Sequence, residues 1–350
     1  MNVIPISLES CNCDNFNDKS SFLHTLDAAS SVEDEGVSGR KRLAVLVPFR
    51  DRFEELLQFA PVIPISLESC NCDNFNDKSS FLHTLDAASS VEDEGVSGRK
   101  RLAVLVPFRD RFEELLQFAP YMTEFLNRQK VLHKIFVLNQ VDRFRFNRAS
   151  LINVGFLYTK TLFDYIAMHD VDLLPNNGNL SYAFPEKGPF HVASPQLHPK
   201  YHYPTFVGGI LLVRREHFEA TRGMSNRYWG WGLEDDEFYT RILDAGLQVF
   251  RPENITTGIE NTFKHIHDRA HRKRDTAKCF NQREITRKRD RETGLHTLKY
   301  DITSVNELQI DGARVTVLNI ALHCDRSKTP WCDCEGELEN GKSSTKPKKH

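Results

Sequence analysis

Long apolar runs are missing from this chain of 350 residues. No stretch approaches the roughly 18–20 consecutive apolar residues that a membrane-spanning helix needs. The opening MNVIPISLESCNCD has neither the basic head nor the apolar segment of an export signal. The expectation is therefore that nothing in the chain as written anchors or exports it. Net charge is also missing: 46 Lys and Arg stand against 48 Asp and Glu, which gives no global pull towards nucleic acid or a membrane surface. CxxC pairs of the zinc type are absent as well. Of eight cysteines, Cys11, Cys13, Cys70 and Cys72 are two copies of one CNC motif. The other four are Cys279, Cys324, Cys332 and Cys334, three of them within CDRSKTPWCDC, and they argue for one or two disulfides rather than zinc. Asn179-Leu-Ser and Asn254-Ile-Thr fit the glycosylation pattern. With the cysteines they lean towards a secretory compartment, in tension with the missing targeting segment.

What is present includes a perfect duplication. Residues 3–61 recur letter for letter as 62–120, an offset of 59. Solenoid repeats diverge and recur at least three times, so this block resembles a duplicated exon or an assembly error. Each copy ends in RLAVLVPFRDRFEELLQFAP, but only the second continues into the rest of a helix and a further strand. The expected organisation is a duplicated block over 1–61 outside the core and a polar linker over 62–99. A catalytic domain follows over 100–335, then a disordered basic tail over 336–350.

From Lys100 the pattern alternates in the manner of an α/β fold, a mainly parallel central sheet flanked by helices. It predicts strand Leu102–Val106, helix Arg111–Asn127, strand Lys134–Asn139, helix Arg148–Thr161 and strand Tyr165–His169. Pro189–Ser194 and Leu247–Arg251 read as further strands, and Gln309–Ile310 with Arg314–Ala321 as a final pair. Open α/β sheets bind ligands beyond the carboxyl ends of their strands. Three polar clusters stand there: Pro107-Phe108-Arg109-Asp110-Arg111, Phe146-Asn147-Arg148 and Asp170-Val171-Asp172.

The stretch Gly223–Leu247 organises the rest. Phe238, Ile242 and Ala245 form the buried stripe of a helix that Gly246 stops. Its first turn carries Glu234, Asp235 and Asp236. The helix dipole favours acids there, so capping is one explanation. Successive residues point about 100° apart, so these three cannot all do one job. Trp229 and Trp231, set between glycines, make better sense as walls around a flat ligand than as core.

Asp170 and Asp172, one residue apart at the end of an apolar strand, suit a hard divalent cation, although only one of them needs to reach it. An acidic turn is the plainer alternative. His265 and His267 share the same spacing and would lie on one side of an extended segment. One carboxylate with two imidazoles describes a manganese site better than a structural zinc site, and a buried histidine pair is the competing account. A metal beside a diphosphate assists departure of a nucleotide. One base is then needed at the acceptor hydroxyl; Asp235 fits, and displacement from the opposite face would invert the anomeric centre. The basic run after His267 reads as a solvated charged helix that covers no core, or as a mobile lid whose arginines meet a phosphate.

FNRASLINVGF, DVDLLP, FVGGILL, WGWGLEDDEF and HIHD, in that order, resemble the β-1,4-galactosyltransferases over about Lys100 to Cys334. The resemblance implies a GT-A fold, UDP-galactose as donor, Mn²⁺ as cofactor and a Golgi-lumenal enzyme of type II topology. It implies Asp235 as catalytic base, Glu234, Asp236 and Tyr201 at the acceptor, and Asp172, His265 and His267 on the metal. Donor contacts would come from Pro107, Phe108, Arg109, Arg111, Phe146, Asn147, Arg148, Val171, Asp172, Tyr203, Trp231 and Arg274. HxH and YHY favour the member that uses the β-linked xylose of a proteoglycan core protein as acceptor. An N-acetylglucosamine acceptor, an N-acetylgalactosamine donor and a non-enzymatic sugar-binding module are the alternatives. The closing loop would span about Ile259–Arg283. The family's membrane anchor is not seen in the sequence as written, and the duplicated block has no counterpart in the family.

Overall fold

A computed structural model describes residues 98–267 and 273–334. The first repeat copy, nearly all of the linker and the C-terminal tail lie outside the described residues. Lys100 onwards forms one compact unit, and its first strand, β1 (Arg101–Phe108), belongs to the second copy of the repeat. It is apolar along almost its whole length and fully buried after Arg101, as a strand covered on both faces must be. Helix α1 (Phe112–Arg128) buries Leu115, Phe118, Ala119, Met122, Phe125 and Leu126, a three-and-four spacing that puts one stripe on the sheet. Strand β2 (Leu132–Gln140) pairs parallel with β1.

Helix α2 (Arg148–Thr159) is buried on nearly every side. Its N-cap is Asn147, whose Oδ1 accepts from the Ser150 N–H at 2.9 Å. Gly155 sets its closeness to the sheet, because a Cβ there would come 2.8 Å from Leu138 Cδ1. Next come β3 (Tyr165–His169), β4 (Leu173–Pro175), β5 (Phe190–His191), β6 (Ile210–Arg214) and α3 (Arg215–Ala220). The acid-led helix is α4 (Glu234–Asp244), followed by α5 (Ile259–Thr262), β7 (Phe263–His265), α6 (Gln282–Ile285), β8 (Tyr300–Ile310) and β9 (Ala313–Leu322).

The main sheet runs β5-β6-β3-β1-β2-β9-β8. Its centre, β3-β1-β2-β9, is parallel, whereas β6, β5 and β8 join antiparallel. The fold is α/β with a mixed sheet whose middle is parallel. Phe156, Phe218 and Phe238 from α2, α3 and α4 fill the core on one face with Met168, Val207 and Leu211.

Three strand expectations differ from the structure. Pro189–Ser194 contracts to the two-residue β5, and Leu247–Arg251 contributes one bridge, Phe250 to Phe190. The final pair is much longer than expected: β8 starts at Tyr300 and turns into β9 through Asp311 and Gly312, both at positive φ. As an edge strand β8 leaves many of its side chains in solvent, so it carries little apolar signal. Among the described residues the basic run forms no long helix. Its Gln282, Thr286 and Asp290 are buried, with the Gln282 Nε2 donating to the Trp229 carbonyl at 2.7 Å. It covers core after all.

The four C-terminal cysteines form two disulfides, Cys279–Cys334 and Cys324–Cys332. Trp331 beside them is buried and donates Nε1–H to the Arg227 carbonyl at 2.8 Å.

Candidate active site

The acids sit where the chain is most constrained. Leu233, the N-cap of α4, has φ 77°, and Gly230 and Gly232 precede it at 80° and 104°. A leucine in the left-handed region is strained, a condition usually tied to function. Gly230 has no alternative, since a Cβ there would strike the Arg145 guanidinium. That guanidinium holds Asp275 by two bonds of 2.6 and 2.9 Å, together with Gln282 Oε1 at 2.8 Å and the Ala277 carbonyl at 2.8 Å. The glycine-tryptophan turn is thus fixed to the segment that follows the histidines. Trp231 N–H adds a bond of 2.8 Å to the Asp275 carbonyl.

Four successive acids take four different environments. Asp235 Oδ1 accepts from Arg148 Nη1 at 3.1 Å, and Gly208 packs too closely on its Oδ2 for any side chain. Glu234 keeps a buried Oε2 with no hydrogen-bond partner among the described residues. Asp236 accepts from Tyr203. Glu237 is structural, pairing with Arg241 at 2.8 Å inside the core. Burial is the largest influence on Asp235 and raises its pKa; Arg148 opposes it, while Glu234, Asp170 and Asp236 reinforce it. Burial also raises Glu234 and Asp236. A half-exposed acidic surface helix would show none of this, so simple capping does not account for the turn.

The DVD segment divides its two carboxylates. Asp170 Oδ1 accepts from Arg148 Nε at 2.9 Å, which places Asp170 with the acids of α4. Asp172 turns to the histidines: its Oδ2 lies 3.1 Å from His267 Nδ1 and 3.8 Å from His265 Nε2. A two-stranded ribbon brings them together, because β4 begins directly after Asp172 and pairs antiparallel with β7, Leu173 opposite His265. Ile266 N–H donates to the Asp172 carbonyl at 2.9 Å and locks the register.

Burial, with Lys200 next, lowers His265 to about 3 and also lowers His267. Both rings are neutral at physiological pH, the form a metal requires. One carboxylate and two neutral imidazoles fit a borderline divalent cation such as Mn²⁺ in kind. The arrangement is not a finished cage, since no group of three ligating side chains has converged on one point among the described residues.

The other sequence-predicted residues fall into two groups. Tyr203 and Trp231 are 41 % and 44 % exposed and stand open to a ligand. Arg274 stacks over Trp231 at 4.6 Å and reaches Tyr201 at 5.9 Å, bridging the two rings. Tyr201 has a buried hydroxyl with no hydrogen-bond partner among the described residues. The second group lies in the frame. Pro107, Phe108 and Val171 are buried, and Asn147 is the cap described above. Arg109 donates to the carbonyls of Gln140, Asp142 and Phe144 at 3.2, 2.8 and 2.6 Å, with Phe146 beneath it at 6.0 Å. Arg111 starts the turn into α1 and accepts the Leu115 N–H on its carbonyl at 2.9 Å.

Trp229 corrects the reading of both tryptophans as walls. It is 3 % exposed and packs edge-on to Phe144, so it belongs to the core. Three contributors went unnoticed in the sequence: Arg145, Gly208 in its contact with Asp235, and Lys200 beside His265. Single basic residues in a loop carry no pattern, and Gly208 stands out in the sequence only as part of the FVGGILL motif.

An α/β sheet with a parallel centre, and an acidic cluster and a carboxylate-histidine group beyond its strand ends, defines the GT-A class of nucleotide-sugar transferases. Residues 60–185 match the N-terminal region of glycosyl transferase group 7, and residues 188–266 match a domain described as the N-terminal domain of galactosyltransferase. The chain is 69 % identical over 245 residues to β-1,4-galactosyltransferase 7 of Drosophila melanogaster, covering 70 % of this chain and 76 % of the relative. It is 52 % identical over 237 residues to the xylosylprotein 4-β-galactosyltransferase of Caenorhabditis elegans, covering 66 % and 82 %. The crystal structure of the Drosophila catalytic domain with xylobiose superposes with a TM-score of 0.67 at 70 % identity, over 67 % of this chain and all of that one. A mutant of the same Drosophila enzyme was solved with manganese, UDP-Gal and xylobiose, with a TM-score of 0.67 at 69 % identity over 67 % of this chain and 100 % of that chain. The chain belongs to the β-1,4-galactosyltransferase family.

Proposed function

We propose that this protein transfers galactose from UDP-galactose to the 4-hydroxyl of a β-linked xylose on a proteoglycan core protein, with inversion at the anomeric carbon. The observation that carries the reading is the pairing of two sites by one residue. Arg148 touches both Asp235 and Asp170, and two positions beyond Asp170 stands the aspartate that faces the histidines.

Asp235 takes the proton of the acceptor hydroxyl. Its raised pKa suits the task, because a carboxylate that holds a proton more firmly is a stronger base. Arg148 fixes the orientation of that carboxylate. Glu234 and Asp236 flank it and grip the acceptor hydroxyls, with Tyr201 as an aromatic surface for the xylose. Tyr203, Trp231, Arg274, Val171 and the PFRDR and FNR segments line the donor side. Phe108, Asn147 and Arg109 shape it through the backbone they hold.

Asp172, His265 and His267 would hold Mn²⁺. When bound it supplies Lewis-acid stabilisation of the departing diphosphate.

The catalytic domain is taken as 100–335, preceded by the linker and the extra repeat copy. Residence in the Golgi lumen accords with two disulfides, which persist in oxidising compartments, and with Asn179 and Asn254, which are both exposed. No helix among the described residues is long and apolar enough to cross a membrane.

The test is incubation with UDP-galactose and a β-xyloside, with and without Mn²⁺. A galactosylated xyloside formed only with the metal is the expected product. Equal turnover in both, or product from N-acetylglucosamine alone, overturns the proposal.

A further inference from the structure

Lys200 places a cation in an unexpected position. Its backbone N–H donates to His198 Nδ1 at 2.9 Å, and this turn delivers its ammonium to 2.9 Å from His265 Nδ1 and 3.2 Å from His265 Nε2. A neutral imidazole offers one lone pair, and an ammonium is a donor only. The lysine contact therefore draws on the lone pair that His265 would give a metal.

We propose that Lys200 competes with a divalent cation for His265, and that its displacement sets the affinity of the Asp172–His265–His267 site. The proposal rests on the metal reading given above. His265 turns Nε2 towards Asp172 Oδ2, 3.8 Å away, and His267 reaches the same oxygen from 3.1 Å. When Nδ1 accepts from Lys200, the ring proton sits on Nε2, the nitrogen that faces Asp172. Ligation beside Asp172 requires the opposite tautomer, with the proton on Nδ1, and the lysine N–H then has no lone pair to meet. Charge acts in the same direction, because an ammonium at hydrogen-bond distance from a ligand repels an incoming cation. The four-carbon stem of lysine lets the head swing away, so the barrier is one of affinity and not of access.

The experiment uses the full chain, stripped with chelator and titrated with Mn²⁺ while the free ion is counted by electron paramagnetic resonance. Lys200→Met and Lys200→Gln are compared with the unaltered protein, with His267→Ala to show which site is being titrated. Both lysine variants are expected to bind Mn²⁺ roughly tenfold more tightly, within the range by which residues around a metal tune it. Unchanged or weaker binding by both, with circular dichroism showing them folded, overturns the proposal and leaves the metal reading intact. If the unaltered protein has no saturable site that His267→Ala removes, the metal reading fails and this proposal falls with it.

Discussion

Arg148 Nη1 lies 3.1 Å from Asp235 Oδ1 while its Nε holds Asp170 at 2.9 Å. The first residue of α2 thus ties the first turn of α4 to the end of β3. Burial opposes a charged Asp235 and Arg148 relieves part of that cost. Replacing Arg148 by Gln removes the relief and leaves two carboxylates facing each other. The expected outcome is a fall in kcat of about 10²-fold or more, within the span of positioned acid–base groups. The alkaline shift of the rate profile described next distinguishes this from a loss of donor binding alone.

The rate of transfer is expected to rise with pH, because Asp235 acts only when deprotonated. Its pKa is pushed from the usual carboxylate range to about 8. The profile of kcat against pH should therefore climb through neutrality, and in Arg148→Gln the climb should move to higher pH. The same shift has a stability counterpart. A carboxyl whose pKa is higher folded than unfolded binds more protons when native, so stability falls as pH rises between the two values. Asp235→Asn should gain about 1–3 kcal/mol over the unaltered protein at pH 8, a gap that closes towards pH 4. It should also lose about 10²–10⁴-fold in transfer rate. Thermal unfolding across pH, paired with the assay, checks both.

Two tryptophans in one turn should behave oppositely. Trp229 is core, and Trp229→Ala is expected to lower stability by about 3–5 kcal/mol. Trp231 is 44 % exposed and stacked under Arg274 at 4.6 Å. Trp231→Ala should leave the denaturation midpoint nearly unchanged and raise the KM for UDP-galactose.

Gly208 leaves no room for a methyl group between Asp235 and the Phe206 ring. Gly208→Ala is expected to displace the carboxylate and reduce kcat by about 10²-fold, the scale of a one-ångström misplacement. Retained binding of UDP, measured by calorimetry, would separate this from misfolding.

Much of the frame was legible because β1, β2, β3 and the helices between them are covered on both sides. Burial forces long apolar runs and clean helical stripes, and Tyr165–His169 appears within the bounds the pattern gives. The bounds of the edge strand β8 and the short β5 were not legible, since solvent or a single neighbour satisfies them and leaves little apolar mark. The acids of α4 and the two histidines stood out by composition alone. Their partners did not: pairing Leu173 with His265 depends on a ribbon between segments some ninety positions apart, and no local pattern encodes it.

The order of strand and helix from Lys100 to His169 and the location of the acids in a first helical turn are written in the chain itself. Periodicity and helix-end chemistry act over a few residues and leave their trace in the chain. Tertiary structure alone decided that Asp170 faces Arg148 while Asp172 faces the histidines, that Trp229 is core while Trp231 is open, and that Lys200 reaches His265. Those outcomes follow from which surfaces remain after packing, a property of the assembled sheet and its loops.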